Sequence, residues 1–195
     1  MLVNHILENS ASKYPDKTAL ICGDIRLTYR EINEQANQLA AFLISAGIKR
    51  HDRVAILLDN SAESVIALFG VLKAGATFIM LSITMKPIKL NYILKNSGAS
   101  FLISQANKIR IVKDSLSGTN DLSDIIWCGP KKNIIGSTDD EQPSKTEHHW
   151  DSIQTARLDN ISFRRHQTID IDLSNIIYTS GSTGDPKGVM SAHYN

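Results

Sequence analysis

The chain has 195 residues, and its 21 Lys and Arg stand against 20 Asp and Glu for a formal net charge of +1. That balance argues against a basic nucleic-acid sheath or a polybasic membrane anchor as its main role. With 42% hydrophobic and 21% charged residues, wholesale disorder is excluded and a buried core is expected. At ~150 residues per domain, one domain with trimmings is the starting expectation.

Cys22 and Cys128 lie far apart in apolar runs. They make neither a metal spacing nor a disulfide framework and are read as two buried thiols. The opening MLVNHILENSASKYPDK lacks a basic stretch followed by a long apolar core, so no secretory signal is expected. The most apolar stretch, 64–85, is interrupted by Lys73 and falls short of the roughly 18 apolar residues of a membrane span. A cytoplasmic protein without a membrane span is expected.

In chain order, Leu2, Val3, Ile6 and Leu7 predict a short amphipathic helix ending near Lys13. Residues 18–22 and 25–28 are short apolar runs around Gly23-Asp24, a small hairpin. Thr28 with Glu31 three residues on is a capping box. The helix it opens carries Tyr29, Ile32, Ala36, Leu39, Leu43 and Ala46 at three- and four-residue spacing and stops at Gly47. From there strands and helices alternate. Residues 54–58 form an apolar strand, and a helix capped by Asn60 or Ser61 runs to Ala74 before Gly75. A strand follows over 77–81, then a helix from Pro87 through Leu94 closed by Gly98, and a third strand over 100–104. Apolar strands joined by helices in this way predict βαβ units: an α/β fold with a doubly wound, mostly parallel sheet flanked by helices.

Residues 125–128 predict one more strand, ended by Gly129-Pro130. Lys131 to about His166 is polar and irregular, read as an insertion or surface excursion with short elements of its own. Within it, Glu147-His148-His149-Trp150-Asp151 could suggest a metal site. Adjacent histidines splay apart and no further ligand has suitable spacing, so a solvated loop is the better reading. Arg164-Arg165-His166 is read as a solvated basic face rather than a phosphate grip. Tyr29 and Trp127 fit core packing.

Residues 173–178 form a strand that runs into YTSGSTGDPKGVM. Gly181, Gly184 and Gly188 allow positive φ and close approach of backbone N–H groups to an anion. Thr179, Ser180, Ser182 and Thr183 add hydroxyl donors, and Lys187 adds a mobile positive charge suited to a polyphosphate. Pro186 stiffens the approach, and Asp185, which would repel phosphate, is expected to face solvent. A Walker A loop needs a Gly-Lys pair, which never occurs here.

With this loop, the sequence resembles the adenylate-forming, AMP-binding superfamily of acyl-CoA synthetases, nonribosomal peptide synthetase adenylation domains and luciferases. Residues 178–189 match its phosphate-loop signature. LTYREINEQANQLAAFL (27–43), RVAILLDNS (53–61) and LKAGATFIML (72–81) match upstream segments in order and spacing. Met80-Leu81-Ser82 stands where the family has a proline-containing turn.

The resemblance implies that ATP and a small-molecule carboxylate give an acyl-adenylate and pyrophosphate, after which a thiol takes the acyl group. It implies ATP and Mg²⁺ as cofactors and coenzyme A or a phosphopantetheine carrier as acceptor. Carried over by position, Thr179, Ser180, Gly181, Ser182, Thr183, Gly184 and Lys187 are the implied phosphate-binding residues. No catalytic or metal residue is assigned. The family continues for several hundred residues beyond this loop, so residues 1–195 are expected to be a partial N-terminal AMP-binding domain without the C-terminal domain. Whether this chain alone is an enzyme is left open. A non-catalytic ATP- or pyrophosphate-binding half-domain, one partnered by a separately encoded remainder, and a truncated relic are the alternatives. His193 stands where many members carry a histidine leading into the next helix. Near the end of the sequence, it is read as either part of that pocket region or a frayed end.

Overall fold

The computed structural model describes residues 1–130, 145–156, 167–179 and 185–195. Helix α1 covers Asn4–Lys13, and the hairpin β1 (Thr18–Cys22) and β2 (Ile25–Thr28) follows it. Helix α2 (Tyr29–Ser45) begins at the expected capping box. The Glu31 N–H donates to Thr28 Oγ1, and the Thr28 N–H donates to Glu31 Oε2 at 2.7 Å. Next come β3 (Arg53–Leu57), α3 (Ala62–Lys73), β4 (Thr77–Met80), α4 (Pro87–Ser97) and β5 (Phe101–Gln105). Ser61 caps α3, and Gly98 ends α4 in the left-handed conformation at φ 58°. The remaining elements are α5 (Ile109–Lys113), β6 (Asp124–Cys128), β7 (Thr146–His149), α6 (Trp150–Thr155), β8 (Leu173–Thr179) and β9 (Lys187–Ala192).

Among the described residues the main sheet has seven strands in the order β7-β6-β5-β3-β4-β8-β9. Every pair is parallel except β8 with β9. Because successive side chains of a strand point to opposite faces, β3 feeds two cores. Val54 and Ile56 join α1, α2, α3 and α6 on one face, while Ala55 and Leu57 join α4 and α5 on the other. The sheet is therefore mostly parallel and covered on both sides by helices, as the alternation of elements predicts.

Three readings change. Glu147–Asp151 is not a solvated loop: Thr146–His149 is strand β7 beside β6, and Trp150, which opens α6, is buried. The strand has no apolar alternation because it lies at the sheet edge and its side chains take polar partners. Cys128 is buried, and burial pushes its thiol far above the ordinary range, but Cys22 is only half-buried. On α1, Leu7 is buried whereas Ile6 is 54% exposed, so the apolar stripe is narrower than its sequence predicts. Tyr29 and Trp127 pack in the core as expected. Arg164-Arg165-His166 lies outside the described residues.

Candidate nucleotide-phosphate site

Strand β8 leads from the sheet interior to the Gly/Ser/Thr loop. Ser174 and Ile176 are buried, while Ile177 and Thr179 are exposed. Tyr178 is fixed between these environments. Its hydroxyl donates to Asn96 Oδ1 at 2.6 Å, tying β8 to α4, and burial raises its pKa. Across the ladder Tyr178 pairs with Gly188, and Thr179 pairs with Lys187. A Cβ on Gly188 would lie 2.9 Å from Ile176 Cγ2 and 3.3 Å from the Tyr178 ring, so no larger residue fits without a shift.

Thr179 and Lys187 thus stand opposite one another, both exposed, at the two ends of the loop. Opposed residues of an antiparallel pair lie about 5 Å apart, which puts a hydroxyl and an ammonium within reach of one anion. Asp185 is exposed, as expected. Ser180, Gly181, Ser182, Thr183 and Gly184 lie outside the described residues.

The opposite end of the hairpin is tied down by residues that sequence reasoning does not single out. The Arg50 guanidinium donates twice to the Asp172 carboxylate, at 2.9 and 2.8 Å, and the Ile169 N–H donates to it at 3.0 Å. Hydrogen bonding to Arg50 holds the Asp172 carboxyl below its ordinary value and raises that of Arg50. His193 is not a frayed end: it is buried, its N–H donates to the Asp172 carbonyl, and its ring Nδ1 accepts from the Val3 N–H at 3.1 Å. No local sequence pattern announces this cluster, because its members come from three distant parts of the chain.

Other polar groups have structural partners. Lys73, in the Leu-Lys-Ala-Gly segment, is wholly buried and donates to Glu8, Asn33 and Asn37 at 2.8–3.0 Å, which pins α1 and α2 to α3. His148 pairs with Asp124 at 2.7 Å, His149 with the Gly129 carbonyl at 2.7 Å, and Glu147 accepts from the Trp127 indole at 3.1 Å. Glu147, His148 and His149 border a cavity of about 410 Å³ whose walls include Phe42 of α2 and Ile153 of α6, at the sheet edge opposite β9. Among the described residues no group of three or more His, Cys, Asp or Glu could hold a metal ion, and no helix is long and apolar enough to cross a membrane.

Comparison with known proteins bears on the same segments. The family model described as AMP-binding enzyme matches residues 7–195. Bacitracin synthase 1 of Bacillus licheniformis is 33% identical over 192 residues, which are 98% of this chain and 3% of the synthase. Phosphinothricin tripeptide synthetase PhsC of Streptomyces viridochromogenes is 36% identical over 189 residues, or 96% of this chain and 15% of the synthetase. Among solved structures, the anthranilate CoA ligase AuaEII in complex with anthranoyl-AMP superposes with a TM-score of 0.82 at 26% identity. That match covers 99% of this chain and 35% of the ligase. The chain therefore spans a small fraction of these synthetases and about a third of the CoA ligase.

Proposed function

The chain belongs to the AMP-binding enzyme family, and on that premise we propose that it forms the N-terminal, phosphate-binding portion of an AMP-forming ligase. The reaction joins a carboxylate to ATP as an acyl-adenylate with release of pyrophosphate, and the acyl group then passes to a thiol. The residues assigned to the phosphates are Thr179, Ser180, Gly181, Ser182, Thr183, Gly184 and Lys187. The observation that carries this reading is the pairing of Thr179 with Lys187 across β8 and β9 at the two ends of the Gly/Ser/Thr loop.

Each group has a distinct role. Lys187 would neutralise charge developing on the departing pyrophosphate, an interaction that strengthens as the bond breaks. The hydroxyls of Thr179, Ser180, Ser182 and Thr183 would donate to phosphate oxygens, and Gly181 and Gly184 would let backbone N–H groups approach them. The exposed Thr179 and Lys187 fit a polyanion, and Gly188 keeps the returning strand close beneath them. Mg²⁺ supplies further charge neutralisation when it is bound with the nucleotide. The acceptor would be coenzyme A or a phosphopantetheine arm, with a carrier protein or a separately encoded remainder of the ligase as partner. The cytoplasm supplies all of these.

The test is a calorimetric titration of the 195-residue chain with inorganic pyrophosphate. Lys187→Ala should weaken binding roughly tenfold or more, the worth of one charge-assisted hydrogen bond, with an unchanged melting temperature. Superimposable binding curves for the two proteins would overturn the assignment.

A further inference from the structure

Strand β9 is a sheet edge, bonded to β8 alone among the described strands. Lys187 to Met190 are exposed, and burial sets in only from Ser191 onward. With so little side-chain packing along the strand, the ladder to β8 that sets Lys187 against Thr179 is supplemented chiefly by ties at the far end. There the His193 N–H donates to the Asp172 carbonyl and the Tyr194 N–H to the Asp170 carbonyl, each at 3.1 Å. The His193 ring adds a side-chain hydrogen bond between this end and the start of the chain, 190 positions away, beside a longer ion pair of the Met1 amino group with the Asp170 carboxylate at 3.8 Å.

The chemistry of that tie fixes its protonation state. A backbone N–H can only donate, so Nδ1 must be the unprotonated nitrogen and the ring must be neutral. A proton on Nδ1 would set two N–H groups against each other and break the contact. We propose that His193 is a positioning residue for the paired Thr179 and Lys187: its neutral ring clamps the N-terminal segment at Val3 to the base of the β8–β9 hairpin, and protonation releases the clamp. The phosphate-binding role of that pair rests on the function proposed above.

The surroundings favour the neutral form. Burial lowers the His193 pKa, and His5 of α1 and the Met1 amino group act in the same direction; Asp172 and Asp170 oppose them. Because the folded value lies below the unfolded one of about 6.5, the clamp's contribution is complete above that pH. It is lost as pH falls through the folded value.

The test compares the 195-residue chain with His193→Asn, whose amide oxygen can accept the same N–H but does not titrate, and with His193→Ala. Backbone hydrogen exchange over residues 3–13 reads the clamp, and titration with inorganic pyrophosphate reads the loop. At about pH 8 the wild type and the Asn variant should behave alike. As pH is lowered from there through the folded His193 value, the wild type should come to exchange faster and bind roughly threefold to tenfold more weakly than the Asn variant at the same pH, the worth of one hydrogen bond. Pyrophosphate's own titration is common to both proteins and drops out. His193→Ala should show the acid behaviour already at the higher pH. Equal acid responses in wild type and the Asn variant would overturn the proposal, whether or not the Ala variant folds. Wild-type pyrophosphate binding that ignores Lys187→Ala would instead sink the functional reading, and hydrogen exchange would still judge the clamp.

Discussion

The two halves of the main sheet are built on different terms. At β3, β5 and β6 nearly every residue is buried, because helices cover both faces. At β8 and β9 the chain reverses direction, one strand alternates between buried and exposed, and the other is open to solvent along most of its length. The first half is held by apolar packing distributed over many side chains. The second depends on ladder hydrogen bonds and on a few polar ties at its base, Arg50 to Asp172 and His193 to Val3. The loop proposed to bind phosphate is carried by the second kind of structure, which has fewer buried apolar contacts to hold it.

Substitutions can separate the two regimes. The largest effect is expected at Trp127, which is 1% exposed in β6 and also donates to Glu147. Trp127→Ala should cost about 3–5 kcal/mol in urea unfolding, mostly from the cavity it leaves. A loss below about 1 kcal/mol would mean that this half is not a tightly packed core.

An intermediate loss is expected for Asp172→Asn, with a signature in pH. The folded carboxyl lies below its unfolded value of 3.8, so its stabilisation is present above that pH and lost as pH falls through the folded value. The wild-type advantage over the Asn variant in melting temperature should therefore shrink on acidification below about pH 4. A constant difference across that range would show that the Arg50 pair does not support the hairpin electrostatically.

The smallest effect is expected at Val189, 54% exposed on β9. Val189→Thr should stay within about 0.5 kcal/mol of the wild type in the same urea experiment. A larger loss would show that this face is packed in solution.

The same contrast governs what could be read from the residues. Strands buried on both faces leave continuous apolar runs, so β3, β4, β5 and β6 are legible from Val54, Phe78, Phe101 and Ile125 onward. Helix boundaries are legible where one residue has one job, as with Thr28 and Glu31 at the start of α2 or Gly98 after α4. Strand β7 is hidden because it lies at an edge, where Glu147, His148 and His149 take polar partners instead of packing in the core. At the candidate site, the strand before the loop and the lysine after it can be found locally. The base of the hairpin cannot: the partner of His193 is Val3, and that of Asp172 is Arg50, so no window of sequence contains both members of either pair.

The burial of both tryptophans has an optical consequence. Trp127 and Trp150 are the only two in the chain, and both lie on the β6–α6 side of the sheet. Intrinsic fluorescence excited at the red edge of the absorption band will therefore report the packed half alone. Opening of the β8–β9 hairpin would pass unseen in that signal, and a single clean fluorescence transition would describe half of the protein.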